Sequence, residues 1–208
     1  MELIVSRRKM ALDDLGAGPP VVLLHAFPFD RRSWARVTPQ LAPHARLLVP
    51  DLRGFGASEA GAPYSIADLA DDVAGLLDAL SLERATVGGI SMGGYVSLAF
   101  AARHPTRLAK LLLIDTKAAP DTPEAVAARG EAIAIVRAHG VDAYLERQLP
   151  KLLSAHADEA TRAEARELGR QTPSAVVAGL EALRDRPDRR PELPSITAPT
   201  LVVVGALD

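Results

Sequence analysis

The chain has 208 residues, 48% of them apolar, which is enough for one well-buried core and too apolar for a disordered segment. A formal net charge of -2 leaves no basic field for nucleic acid or anionic lipid. With no cysteine, disulfides, thiolate metal sites and a cysteine nucleophile are all excluded, a composition that fits a reducing cytoplasm.

Met1–Arg8 has no apolar core of signal-peptide length, and no stretch is long and apolar enough to span a membrane. Residues 2–6 and 9–12 read as a short strand pair, which Asp13-Asp14 and the glycine–proline run 16–20 break. The continuous apolar run 21–25 predicts a strand buried on both faces. Asp30 can cap a helix over 31–41, with Trp34, Val37 and Leu41 facing inward. Residues 46–49 form the next buried strand, and 50–58 a turn-rich loop. Ser65 caps a helix to about Leu80, with apolar residues at 66, 69, 73, 76, 77 and 80.

Residues 85–87 lead into Gly88-Gly89-Ile90-Ser91-Met92-Gly93, and a helical pattern runs from Tyr95 to about His104-Pro105. Gly-x-Ser-x-Gly between a strand and a helix is the pattern of a nucleophile elbow. A sharp strand-to-helix turn holds the hydroxyl out of the sheet, within reach of a base. It also brings the residues two before and two after the serine together, where only glycine fits. Residues 108–114 are a further strand, ended by Asp115. Strands alternating with helices predict an α/β fold: a mostly parallel central sheet with helices on both faces.

The strand pattern then gives way to helical segments at 123–138, 141–153, 159–168 and 173–184, with Gly169 suited to ending the third. This block reads as a helical cap inserted between sheet strands, with packing of its last helix on the sheet as the alternative. The expected organisation is 1–116 for the first part of the core, 117–194 for the cap and 195–208 for a return to the core, with a strand at 200–205.

Four motifs, at 23–28, 51–58, 89–94 and 199–208, occur in an order that resembles the α/β-hydrolases, in particular the small esterases, enol-lactonases and cofactor-free haloperoxidases or perhydrolases. The resemblance spans nearly the whole chain. It implies a serine hydrolase acting on a small carboxylic ester or lactone, with Ser91 as nucleophile. The backbone N–H groups of Phe27 and Met92 would form the oxyanion hole, with no cofactor and no metal. Where the family has His-Gly, this chain has His25-Ala26. The resemblance makes His25 structural rather than catalytic; His104, His44, His139 and His156 read as surface or helix-end residues. Asp208 is the preferred triad acid and Asp115 the rival. Asp51 and Arg53 are expected to brace their loop. Phe27, Phe29, Trp34 and Tyr95 are candidates for an acyl pocket or for plain core.

In this family the acid precedes a histidine, and these 208 residues stop at the acid. The expectation is a truncated product, a base supplied by another chain, or a protein that is not an enzyme, and near inactivity for residues 1–208 alone. Rival functions are therefore a non-catalytic remnant of the fold and, within the same triad chemistry, a haloperoxidase or perhydrolase. Oligomeric state leaves no mark in the sequence.

Overall fold

A computed structural model describes residues 1–61 and 63–206. The apolar runs become strands: β1 Glu2–Val5, β2 Arg8–Leu15, β3 Pro20–Leu24, β4 Arg46–Pro50, β5 Ala85–Ile90, β6 Leu108–Ile114 and β7 Thr200–Val203. They form one sheet in the order β1-β2-β4-β3-β5-β6-β7. The pairings from β4 through β3, β5 and β6 to β7 are parallel; β1–β2 and β2–β4 are antiparallel. β5 thus lies between β3 and β6, with its C-terminal end opening at the middle of the sheet.

Alternation along each strand divides the apolar side chains between two faces. Val22 and Leu24 of β3, Leu48 of β4 and Val87 of β5 join the main core. Helices α2 (Ile66–Ala79) and α3 (Met92–Arg103) pack together over this face. Helix α2 starts as its sequence predicts. Ser65 accepts from the Asp68 N–H at 3.2 Å while the Asp68 carboxylate accepts from the Ser65 N–H at 2.7 Å. Its Ile66, Leu69, Val73, Leu76 and Leu77 are buried, each contributing about 1.5–3 kcal/mol before conformational entropy is subtracted.

On the opposite face Leu23, Leu47 and Val49 pack with Trp34. At β7 both faces of the sheet are open: Leu201, in register with Leu112, is 59% exposed and Val202, in register with Leu113, is 67% exposed.

Three local expectations fail. The helix over 31–41 is instead a 3-10 turn at Arg31–Trp34 and a single turn, α1, at Thr38–Leu41. Asp30 caps the first piece by accepting from the Arg32 N–H, but Pro39 has no N–H to continue the ladder. Trp34 faces inward as expected, whereas Val37 and Leu41 are exposed. Asp13 and Asp14 do not end the strand; they sit in register with Val49 and Leu48, their charges met by Arg31 and Arg46.

Helices α4 (Pro123–Leu152), α5 (Glu159–Gly169) and α6 (Pro173–Arg184) lie between β6 and β7 in sequence. Within α4, Gly140 has φ +81° and breaks the helix at the point where the sequence pattern breaks. Gly169 is the last residue of α5, as expected, but packing rather than a left-handed stop calls for glycine there. Its φ is not positive, and a Cβ there would press on Leu145 of α4. Ile133, Val136, Tyr144, Leu145, Val176 and Leu180 belong to the same apolar cluster as the sheet's main face. Among the described residues no helix is long and apolar enough to cross a membrane.

Candidate active site

Ser91 sits between the last residue of β5 and the first of α3, with φ +50° and ψ -108°. That left-handed backbone is sterically disfavoured for a serine by about 1–3 kcal/mol. Three hydrogen bonds hold it. The Ser91 N–H donates to the Ile114 carbonyl at 3.0 Å, and its own carbonyl accepts from the Tyr95 N–H at 3.1 Å and the Thr116 hydroxyl at 2.9 Å. A Cβ on Gly89 would lie 2.7 Å from the Gly93 backbone, and one on Gly93 would fall on the Leu24 carbonyl. The glycine spacing read from the sequence is thus a steric requirement here. Ser91 is partly exposed, and its hydroxyl has no hydrogen-bond partner among the described residues.

Leu24 is in register with Gly89, so the chain leaving β3 at His25 starts beside this turn. His25 is fully buried and lies edge-on to Phe55. Its Nε2 accepts from the Leu52 N–H at 3.0 Å, which puts the ring proton on Nδ1, donated to the Ala26 carbonyl at 3.0 Å. Both nitrogens are therefore committed to backbone, joining the loop after β3 to the loop after β4. The Ala26 carbonyl also accepts from the Phe29 N–H, so alanine in place of glycine leaves this loop well anchored. The N–H groups of Phe27 and Met92 donate to nothing among the described residues.

Burial holds the His25 imidazole below its ordinary pKa. Between that lowered value and about 6.5 the unfolded chain binds a proton that the folded one refuses, so stability must fall as pH drops through that window. Unfolding free energies from urea titrations should decline from about pH 6.5 downward by up to ~1.4 kcal/mol per pH unit, ahead of carboxylate titration. His25→Gln should flatten that limb; an unchanged slope would assign it elsewhere.

Asp115, the rival acid, has φ +40°. Its N–H donates to the Val203 carbonyl at 3.0 Å, and its Oδ1 accepts from the Gly205 N–H at 2.9 Å. Its carboxylate thus secures the chain leaving β7. Asp208 lies outside the described residues. Asp51 is fully buried and takes the Arg31 N–H, the Arg31 guanidinium and the Ala57 N–H; Arg53 pairs with Asp72 on α2. Both brace the 51–58 loop, as expected. His104 pairs with Asp71 at 2.8 Å, while His44, His139 and His156 are exposed. Among the described residues no group of three His, Asp or Glu is placed to hold a metal.

Residues 19–208 match the model of the family described as alpha/beta hydrolase fold. The chain belongs to this family. Over 99% of its length it superposes on a thermophilic esterase from Thermogutta terrifontis, with 36% identity, a TM-score of 0.92 and 79% of that chain covered. The enol-lactonase from Burkholderia xenovorans LB400 is also similar, at 32% identity, TM-score 0.91, and 99% and 81% of the two chains. Over 108 residues the chain is 43% identical to 2-hydroxy-6-oxo-2,4-heptadienoate hydrolase of Pseudomonas putida, a match spanning 50% of this chain and 39% of that protein.

In this α/β-hydrolase the four candidate pocket aromatics separate. Trp34 lies on the far face of the sheet with Leu23 and Leu47, and the Tyr95 ring lies beneath Arg186. Phe27 packs edge-on to Phe55 at 5.9 Å and against Tyr144 of α4 at 6.3 Å; half-buried Phe29 borders the same core. Three contributors escaped the sequence reading. Gly179 of α6 lets that helix close on Phe27 and Phe55, and a glycine inside a helical pattern is a signal for such an approach. Tyr144 had no signal beyond its place on an apolar helix face. Gln171, between α5 and α6, accepts from the Gly56 N–H at 2.8 Å and donates to Asp30 at 3.1 Å, binding the helical block to the loops that follow β3 and β4. Nothing local in the sequence distinguishes it.

Proposed function

We propose that this chain carries the nucleophile of a serine hydrolase that cleaves a small carboxylic ester or lactone through a Ser91 acyl-enzyme. The observation that carries the reading is the left-handed Ser91 between β5 and α3, packed so closely that Gly89 and Gly93 admit no side chain. Ser91 Oγ would attack the carbonyl carbon and yield its proton to a histidine base. The carbonyl oxygen, now negative, would be met by the N–H groups of Met92 and Phe27. Met92 is the first residue of α3, where the free N–H groups and the helix dipole favour negative charge. Such a donor is worth about 3–4 kcal/mol in the transition state. The alcohol or enol leaves with the transferred proton, and water then releases the acid. Asp208 is proposed to orient the base, and residues 117–194 to cap the acyl pocket, which Phe27 and Tyr144 would help to line. The esterase and enol-lactonase among the similar structures support a small ester or lactone as substrate.

A second reading, a non-catalytic remnant of the fold, is favoured by one observation. The two ring nitrogens of His25 are engaged elsewhere, and no described histidine hydrogen-bonds to Ser91. A fluorophosphonate probe with peptide mapping separates the two readings, applied to residues 1–208 and, if the reading frame continues past codon 208, to the longer product. Labelling of Ser91 and Ser91-dependent ester turnover in either form support the enzyme. Neither activity in any form supports the remnant, and labelling that survives Ser91→Ala removes Ser91 from the role.

A further inference from the structure

Helix α4 is entered through a buried carboxylate. The Asp121 side chain is 2% exposed and pairs with Arg129 on α4 and with Arg186, 2.7 Å away and just past α6; the Arg186 side chain is 3% exposed. Arg186 also donates to the Leu183 carbonyl at 2.8 Å and the Ala119 carbonyl at 3.3 Å, and the Arg189 N–H donates to Ala118 at 2.9 Å. The two chain segments that join the helical block to the sheet are thus fastened to each other by the Asp121–Arg186 pair and by two hydrogen bonds to backbone carbonyls of the first segment. The Cζ of the same guanidinium lies over the Tyr95 ring, 4.3 Å from its centroid. Tyr95 is on the first turn of α3, and its N–H donates to the Ser91 carbonyl.

The chemistry argues for geometry rather than stability. A buried Arg–Asp–Arg group carries an uncompensated positive charge and is commonly no more stabilising than apolar residues of the same volume. Here the ring face of Tyr95 and two backbone carbonyls take up that charge. Each contact is directional, so the hinge has one orientation where an apolar one would slide. The two guanidinium groups outweigh the effect of burial and hold the Asp121 carboxyl below its usual range, so it stays ionised at neutral pH.

We propose that Asp121 and Arg186 are positioning residues for Ser91, coupling the helical block to the first turn of α3 and so setting which acyl groups fit between them. The proposal rests on the serine-hydrolase reading for its acyl pocket. Its test is the ratio of kcat/KM for p-nitrophenyl hexanoate to that for the acetate, which is independent of the fraction of protein that is folded. Asp121→Asn and Arg186→Met should shift this ratio by about tenfold or more, as expected when a reacting group is displaced by part of an ångström. Arg186→Lys keeps the charge opposite Asp121 and loses the guanidinium that lies over the Tyr95 ring and donates to the Leu183 and Ala119 carbonyls. It should fold with a Tm near wild type and still shift the ratio, and it decides the matter if Asp121→Asn fails to fold. A wild-type ratio in Arg186→Lys would overturn the proposal and reduce the group to a structural clamp. If the wild-type protein shows no Ser91-dependent turnover, the hydrolase reading fails and amide exchange decides the coupling. Faster exchange in Arg186→Lys at both 117–122 and 92–96 supports it; a change confined to 117–122 refutes it.

Discussion

In a form of the protein that turns over esters, Ser91→Ala is expected to lower kcat for a p-nitrophenyl ester by about 10⁶ while leaving the fold and Tm unchanged, the loss seen when a serine hydrolase is deprived of its nucleophile. The substitution relieves backbone pressure at most slightly and touches no packed neighbour, because the hydroxyl makes no hydrogen bond among the described residues. Gly93→Val should also abolish turnover and fluorophosphonate labelling, by a different route. Its Cβ would fall on the carbonyl of Leu24, which belongs to a central strand paired on both sides and cannot retreat. Activity and Tm should therefore fall together in Gly93→Val and separate in Ser91→Ala. Retained labelling in Gly93→Val would mean that the turn does not depend on the close approach of α3 to β3.

Much of this architecture is legible in the residues because single interactions dictate it. The apolar runs that became β3, β4 and β5 are largely buried on both faces, so composition alone identifies them; β6 is only partly buried. The breaks of the helical block at Gly140 and before Pro173 are chemical punctuation. The glycines around Ser91 report a collision that holds in any fold built on such a turn. What stayed hidden depends on contacts between residues far apart in sequence. Asp13 and Asp14 look like a turn until Arg31 and Arg46 arrive beside them from other elements. Trp34 could be assigned to a helix face but not to a side of the sheet. Gln171 and Arg186 are ordinary polar residues in sequence, and only the return of the chain from α5 and α6 brings them to Gly56, Asp121 and Tyr95.

The choice between the two acids turns on what Asp115 is already doing. Its Oδ1 accepts the Gly205 N–H and its own N–H holds the Val203 carbonyl, so it ties β6 to the segment that leaves β7 three residues before Asp208. An asparagine amide oxygen can accept the same N–H. In a form of the protein that turns over esters, Asp115→Asn should therefore cost less than about tenfold in kcat, since it exchanges a charge-assisted hydrogen bond for a neutral one. Asp115→Ala removes the acceptor, frees the Gly205 segment and should cost more than Asp115→Asn. A triad acid behaves otherwise. Its carboxylate fixes the imidazole tautomer and stabilises the imidazolium, and the amide presents the wrong group, so Asp208→Asn should lower kcat by about 10⁴ with KM little changed. Measured at one pH on folded protein, the series Asp115→Asn, Asp115→Ala, Asp208→Asn should then show progressively lower kcat. If Asp115→Asn falls as far as Asp208→Asn, the charge on Asp115 is what matters, and the orienting carboxylate belongs at the end of β6.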